Sequence, residues 1–160
     1  IIKMKELVKE TIEQNSKNGN NYIIVDPKSN ERKNYVIGLI FDDKNRILLI
    51  NKLRPDWQKG YYNGIGGKVE SNETFMKAMI RETKEEANLD IKKNWKLYHK
   101  DILANVQINT YYQKISSKEI EKFKSLTDEK VELFEIDKLP TNTLPDIRHM
   151  IEKISKKIFQ

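Results

Sequence analysis

The sequence contains no cysteine. This absence excludes a disulfide framework, a thiolate nucleophile and a zinc site built on cysteine sulfur. The sequence also lacks any apolar run near the roughly 20 residues that a membrane span requires, and it begins without the long apolar region of a signal peptide. We therefore expect a cytoplasmic protein that does not enter a membrane.

The composition is polar but sufficient for a packed core. Of the 160 residues, 38% are hydrophobic and 34% are charged. Apolar residues cluster in short runs at 35–41, 47–50 and 131–136, and the length fits a single core. We predict one domain over residues 1–160, with residues 1–34 as an N-terminal extension packed on or beside it.

The formal net charge of +6 has two interpretations. A positive excess attracts nucleotides, nucleic acid or anionic surfaces, and it does not choose among them. A lysine-rich composition that only keeps the protein soluble explains it equally well. Binding to nucleic acid is therefore possible but not indicated, and the sequence gives no information on the oligomeric state.

Apolar periodicity and turn residues predict a mixed α+β domain. Asp42-Asp43-Lys44-Asn45 is a turn sequence between two apolar runs and predicts a hairpin. Residues 51–64 are predicted to be a loop, residues 65–69 lead toward a helix, and residues 116–123 remain ambiguous. The predicted strands are 22–25, 35–41, 47–50, 95–104, 106–115 and 131–136, and the predicted helices are 4–14, 73–87 and 147–158.

The helix over residues 73–87 is the most clearly bounded element. Ser71 is a plausible N-cap, and Asn88 can take the left-handed conformation that ends helices. Helical spacing also predicts a buried stripe. That stripe consists of Met76, Ile80, Thr83 and Ala87.

Three glutamates lie on one face of this helix. Glu82, Glu85 and Glu86 are spaced i, i+3 and i+4, which puts their Cβ atoms about 5–6 Å apart. Their mutual repulsion would be removed by a divalent cation, and carboxylates are hard oxygen ligands suited to Mg²⁺ or Mn²⁺. The alternative is an ordinary solvated helix surface, on which Arg81 is an i,i+4 partner of Glu85.

The stretch from Gly67 to Leu89 resembles the Nudix box. In that pattern a Gly is followed after five residues by Glu, and after seven more by Arg-Glu, an aliphatic residue, any residue, Glu-Glu, any residue, Gly and an aliphatic residue. The six matching polar and glycine positions are Gly67, Glu73, Arg81, Glu82, Glu85 and Glu86. Thr83 replaces an aliphatic residue and Asn88 replaces the glycine, and neither change removes a charge.

The resemblance implies a Nudix-type α/β/α sandwich with a mixed β-sheet, and it assigns roles to the box. Glu82, Glu85 and Glu86 would bind the metal together with the Gly66 carbonyl, and Glu82 or Glu85 would act as general base. Arg81 would orient a carboxylate, and Glu73 would support the cluster. A further acidic ligand from a later segment is implied, with Glu129 the first candidate and Asp128 the second. No histidine nucleophile is needed, so His99 and His149 are expected to be structural or surface residues.

The segment 62–70 resembles the MutT-type branch, and it suggests how substrate is bound. The residue matching Asn63 hydrogen-bonds the base in that branch, whereas the alternative is a turn asparagine before Gly64. Asp146 matches one of two base-reading aspartates, but Ile147 replaces the second and Leu144 replaces a stacking tryptophan. The predicted substrate-binding residues are Asn63, Lys68 and Asp146. Aromatic residues that could stack on the base, or could equally be core packing, are Trp57, Tyr61 and Tyr62.

The function implied by this resemblance is a Mg²⁺-dependent pyrophosphohydrolase that cleaves a phosphoanhydride in a nucleotide substrate, with a nucleoside triphosphate giving a monophosphate and pyrophosphate. One alternative is a pyrophosphohydrolase acting on an RNA 5′ end or on a dinucleotide. An alternative of another class is a Nudix-fold module that binds nucleotides without turnover. The sequence does not reveal the base or the sugar.

Overall fold

The structure is a computed structural model that describes residues 32–159. The helix predicted over 4–14, the strand predicted over 22–25 and the placement of the chain before Arg32 lie outside this range. The elements, in chain order, are strands β1 (Lys33–Phe41), β2 (Arg46–Asn51), β3 (Tyr62–Asn63) and β4 (Ile65–Lys68), helix α1 (Phe75–Ala87), strands β5 (Lys96–Leu103) and β6 (Val106–Lys114), the short helix α2 (Ser117–Ile120), strand β7 (Val131–Glu135) and helix α3 (Pro145–Ile158), with 3₁₀ turns at Asp56–Gln58 and Ile136–Lys138.

Within the described range the strands form one seven-stranded mixed sheet, with β3-β2-β1-β6-β5 as its main order. β1 is central, because it pairs with β6 in parallel and with β2 and β4 in antiparallel register. β7 pairs with β2 on the side away from β1. The predicted hairpin at Asp42–Asn45 and the strand pair on either side of Asn105 are both confirmed.

Alternation along the strands places a core on each face of the sheet. On one face, Val36 and Ile40 of β1 pack with Met79 of α1. On the other face, Ile37 and Leu39 pack with buried residues of α3. One helix on each face makes the three-layer α/β/α arrangement that the box implied.

Several element boundaries differ from the prediction. The segment 51–64 is not only a loop, since it contains β3 and a 3₁₀ turn. Residues 65–68 form β4, held against β1 by four paired residues. α3 starts at Pro145, two residues before the predicted start. Proline suits this position because the N–H groups of the first helical turn have no partner within the helix, so the missing N–H of proline costs no hydrogen bond.

The start of α1 corrects the predicted cap. Thr74, not Ser71, is the N-cap, because its side chain accepts a hydrogen bond from the Lys77 N–H at 3.1 Å. The buried face of α1 also differs from the predicted stripe. Thr83 and Ala87 are buried as expected, but Met76 and Ile80 are only half-buried. The other buried positions are Ala78, Met79 and Glu86.

Candidate active site

Helix α1 ends in the manner that its sequence predicts. Asn88 has φ 58° and ψ 28°, a left-handed conformation that asparagine tolerates, and its N–H donates to the Lys84 carbonyl. Thr83 is fully buried, and its hydroxyl donates to the Met79 carbonyl at 2.7 Å. The two departures from the box are therefore accommodated, because each polar side chain has a conformation or a partner that suits it.

All five N–H groups of Arg81 have partners inside the protein. Nε and one Nη2 hydrogen donate to Glu73, both at 2.8 Å, and the other Nη2 hydrogen donates to the Lys68 carbonyl at 2.9 Å. The Nη1 hydrogens donate to Glu82 at 2.9 Å and to Glu85 at 3.0 Å. These hydrogen bonds raise the pKa of Arg81, and they hold the pKa of Glu73 below its ordinary value. Arg81 thus ties α1 to the preceding loop and has no N–H left for a substrate.

Glu82 and Glu86 form a carboxyl pair beneath β4. Glu86 is only 6% exposed, and its Oε1 accepts the Gly66 N–H at 3.0 Å. Burial raises the pKa of Glu86 to about 8, and the nearby charge of Glu82 adds to that effect. Burial raises the pKa of Glu82 as well, although the Arg81 hydrogen bond opposes the shift. The two carboxyls interact electrostatically, and the raised pKa of Glu86 means that this group retains a proton at neutral pH when nothing else neutralises it.

Gly67 makes room for the Glu82 carboxylate. A Cβ atom at position 67 would lie 2.6 Å from Glu82 Oε1 and 2.7 Å from its Cδ. A side chain at this position would therefore displace the carboxylate. This contact gives a physical reason for glycine at the first position of the box.

Glu85 stands apart from the carboxyl pair. Its side chain is 57% exposed, and Arg81 is its ion-pair partner. Across residues 32–159, no three acidic or histidine side chains already converge closely enough to hold a metal ion. Of the three predicted glutamate ligands, the structure therefore places Glu82 and Glu86 together, whereas the Glu85 side chain points toward solvent.

The residues present nevertheless fit a divalent cation. Glu86 is buried and Glu82 is half-buried, and Glu86 keeps a proton at neutral pH because burial, and then the nearby charge of Glu82, raise its pKa. A divalent cation offsets such paired charges, and it replaces the proton on binding. The absence of a side chain at Gly67 also leaves space next to the Glu82 carboxylate.

A cavity of ≈ 120 Å³ adjoins this pair through Gly66 and Gly67, which line it. The other lining residues with polar side-chain groups are Tyr35, Lys52, Gln58 and Asn63. Asn63 is buried, and both ends of its amide have partners: Oδ1 accepts the Gly64 N–H at 2.7 Å, and Nδ2 donates to Gln58 Oε1 at 3.1 Å. Asn63 therefore holds the Gly64 N–H and also lines the cavity, and its contact with a base stays a prediction.

Glu129 and Asp128, the candidates for a further ligand, have different surroundings. Glu129 is buried, and it accepts hydrogen bonds from Lys52 Nζ at 3.0 Å and from the Leu53 N–H at 2.7 Å. Asp128 is exposed and forms an ion pair with Arg54, whose hydrogen bond lowers the pKa of Asp128. Glu129 thus supports Lys52, whose positive charge acts on Glu86. Neither residue joins the Glu82–Glu86 pair.

The other predicted substrate contacts lie outside the cavity lining. Lys68 is exposed at the end of β4, and its carbonyl binds Arg81. Asp146 lies in the first turn of α3, near Leu144, whose N–H binds the Tyr62 carbonyl. The aromatic candidates do not line the cavity either: Trp57 packs against the core on the α3 side, Tyr62 packs edge-on against Phe134, and Tyr61 is exposed.

Sequence reasoning missed three residues with polar side-chain groups that line the cavity. They are Tyr35, Lys52 and Gln58. Lys52 comes directly after the buried strand β2, a position from which a charged side chain can reach a strand end. A single glutamine in a loop and a tyrosine at a strand start carry no comparable signal.

Other sites on the molecule are separate from this chemistry. A larger open groove of ≈ 530 Å³ lies beyond the C-terminus of α1, and none of the carboxylates of the box lines it. His99 is exposed and contacts Asp101, and His149 is exposed on α3. No helix in the described part of the chain is long and apolar enough to cross a membrane.

Known proteins that resemble this chain are also Nudix proteins. The family model of the NUDIX domain matches residues 31–154, so the chain belongs to the Nudix family. This confirms the Nudix hydrolase predicted from the box, in a family that generally uses divalent metals and nucleotide-type small molecules. No protein of curated function matches the chain.

Solved structures share the fold along nearly their whole length. A NUDIX-family hydrolase from Clostridium perfringens has a TM-score of 0.61 and 21% identity, covering 80% of this chain and 99% of that one. A MutT NUDIX hydrolase from Burkholderia pseudomallei has a TM-score of 0.63 and 24% identity, with 76% and 97% covered. A MutT structure described for Aliivibrio salmonicida and Vibrio cholerae has a TM-score of 0.60 and 21% identity, with 77% and 99% covered. At these identities the likeness shows the fold.

Proposed function

We propose that this chain is a Mg²⁺-dependent pyrophosphohydrolase that converts a nucleoside triphosphate to a monophosphate and pyrophosphate. Mn²⁺ is the alternative metal. The observation that carries the proposal is the Glu82–Glu86 pair, which adjoins a cavity lined in part by Lys52, Gln58 and Asn63 across Gly66 and Gly67. Two neighbouring carboxyls that cannot both ionise without a counter-charge are suited to a cation that in turn binds phosphate.

The metal would be held by Glu82, Glu85, Glu86 and the Gly66 carbonyl. When bound, the cation neutralises phosphate charge and lowers the pKa of water. Glu82 or Glu85 accepts the proton of the attacking water as general base. Arg81 positions the carboxylates of Glu82 and Glu85, because its Nη1 donates one hydrogen bond to each of them.

The cavity accounts for the rest of the substrate. At ≈ 120 Å³ it is smaller than the roughly 300–1,000 Å³ of a typical small-molecule site, so we expect it to hold the base and leave the phosphates over the two glycines. Lys52 and Lys68 supply positive charge for the phosphates, and Asn63 contacts the base. Asp146 stays a proposed contact to substrate parts outside the cavity, and a cytoplasmic location stays a prediction.

A release assay with Mg²⁺ tests this function. The panel holds the common and oxidised nucleoside triphosphates, ADP-ribose, dinucleoside polyphosphates and a 5′-triphosphorylated RNA. Wild-type protein is compared with Glu85→Gln, which removes one charge and little volume, and with Glu152→Gln, which does the same at an exposed position of α3.

The expected result is cleavage of a nucleoside triphosphate to monophosphate and pyrophosphate. Glu85→Gln should lower kcat by about 10²-fold or more, and Glu152→Gln should leave it unchanged. Preferred cleavage of RNA or of a dinucleotide would replace the proposed substrate with the alternative one. Metal and nucleotide binding without turnover of any panel member would show a binding module, and full activity in Glu85→Gln would show that the site is misassigned.

A further inference from the structure

Gln58 lies at the cavity wall with an amide that the protein only half satisfies. It ends the 3₁₀ turn Asp56–Gln58, it is 2% exposed, and it lines the cavity together with Asn63. The hydrogen bonds around these two amides fix which way each one points.

The orientation follows from one unambiguous donor. The Gly64 backbone N–H can only donate, so the Asn63 atom that it contacts at 2.7 Å is Oδ1. Asn63 therefore presents Nδ2 to Gln58, and the Gln58 atom 3.1 Å away must be the acceptor Oε1. A flipped Gln58 amide would bring two donors together, which makes that orientation unfavourable.

The remaining end of the amide is Gln58 Nε2, which carries two donor hydrogens. No atom of residues 32–159 accepts a hydrogen bond from it. In the same range, the buried side-chain atoms without a partner are Asn34 Oδ1 and Trp57 Nε1, and Gln58 Nε2 is not among them. Nε2 therefore keeps access to the cavity, where a bound ligand can supply the acceptor that the protein does not.

We propose that Gln58 is a specificity-determining residue that selects substrates whose base presents a carbonyl oxygen to Nε2. This inference rests on the proposed function and adds the class of base. An oxo base such as hypoxanthine, guanine or uracil offers an acceptor. Adenine and cytosine carry an amino group at the same place, and this group is a donor. If it faces Nε2, two donors meet and neither has an acceptor.

The test compares matched pairs of substrates that differ at the oxo or amino position. ITP against ATP is the purine pair, and UTP against CTP is the pyrimidine pair. The kcat/KM ratio of each pair is measured for wild type, Gln58→Leu and Gln58→Glu. Lys59→Gln is the matched control, because Lys59 is exposed beside the same turn and does not line the cavity.

The wild-type protein should favour the oxo member of at least one pair by about tenfold or more, mainly through KM. Gln58→Leu should bring that ratio near one. Gln58→Glu keeps an acceptor for Asn63 and turns a second acceptor to the cavity, so the ratio should move past one toward the amino base. Lys59→Gln should leave it unchanged.

A wild-type ratio near one, or a ratio that neither substitution moves, would overturn the role of Gln58. The same ratios are measured as binding affinities by calorimetry in the Glu85→Gln background, so they are obtained even if no triphosphate is hydrolysed. Absence of turnover with an intact binding ratio contradicts the proposed function alone. Turnover without base preference contradicts the Gln58 inference alone. Thermal melts of both variants confirm that the fold is retained.

Discussion

At the scale of single residues, the acidic side chains of the box have unequal tasks. Glu73 uses both carboxylate oxygens on Arg81, and Arg81 uses its remaining N–H groups on Lys68, Glu82 and Glu85. Glu86 forms no hydrogen bond or ion pair with Arg81, and it accepts the Gly66 N–H instead. The carboxyl that is most strongly perturbed is therefore the one that the arginine does not neutralise.

Gly67→Ala tests the space beside Glu82. The atoms that the new methyl would meet are at the end of a flexible side chain, so Glu82 can turn away without unfolding the protein. We expect the free energy of unfolding to fall by no more than about 1 kcal/mol. Affinity for Mg²⁺ should drop about 10–100-fold, because a predicted ligand is displaced.

The measurements are metal titration by calorimetry and unfolding in urea. Gly60→Ala is the control, because Gly60 has φ +84° and no atom within 4 Å of an added Cβ. That substitution should cost stability through backbone strain and leave metal affinity intact. Equal metal affinity in Gly67→Ala and wild type would show that Glu82 is not a ligand.

At the scale of elements, α1 depends on its left-handed end. Asn88→Ala should lower the free energy of unfolding by about 1 kcal/mol, because alanine is disfavoured at φ 58°. Asn88→Gly should be neutral or slightly stabilising, since glycine adopts this conformation without cost. Urea unfolding of both variants measures the difference, and a destabilised Asn88→Gly would mean that the side chain, not the conformation, is what matters.

The same helix shows how far sequence reasoning reaches. The end at Asn88 and the strands either side of Asn105 were predictable, because turn chemistry and apolar alternation are local. The start at Thr74 was not, since Ser71 and Thr74 are both good caps and the choice depends on how the loop from β4 enters. Burial of Glu86 was unpredictable as well, because a helical pattern expects an apolar residue where this site places a carboxyl.

The site was predictable where a continuous motif defines it and not where the fold assembles it. The box spacing identified Arg81 and the three glutamates from one stretch of chain. Lys52 and Gln58 come from segments that only the sheet brings to the cavity, and neither has a helical or alternating pattern around it. Glu129 was expected as a ligand from its position before β7, whereas the structure uses it to hold Lys52.

At the scale of the whole molecule, stability, pH and metal binding are coupled through the carboxyl pair. The pKa of Glu86 is about 8 in the folded protein, against an ordinary value of 4.5. Between these values the folded state holds a proton that the unfolded state releases. The stabilising contribution of this raised pKa is complete below about pH 4.5 and is lost as the pH rises through 8.

We therefore expect the metal-free protein to lose stability between pH 5 and pH 8, by up to about 1.4 kcal/mol per pH unit from this group. Glu86→Gln removes the titrating group, so its stability should vary less with pH over the same range. Urea unfolding in EDTA at several pH values measures both slopes. A metal-free slope that is the same in the two proteins would contradict the assignment of the shift to Glu86.

Added Mg²⁺ should reverse this dependence. The cation must displace the shared proton, so its affinity should rise with pH up to about 8, and its stabilising effect should be largest where the metal-free protein is weakest. Calorimetry in buffers of different ionisation enthalpy counts the protons released on binding. Release that falls from about one at pH 6.5 toward zero above pH 8.5 would follow from a single retained proton. Binding that releases no protons at pH 6.5 would place the metal away from the Glu82–Glu86 pair, and with it the chemistry that the box is expected to perform.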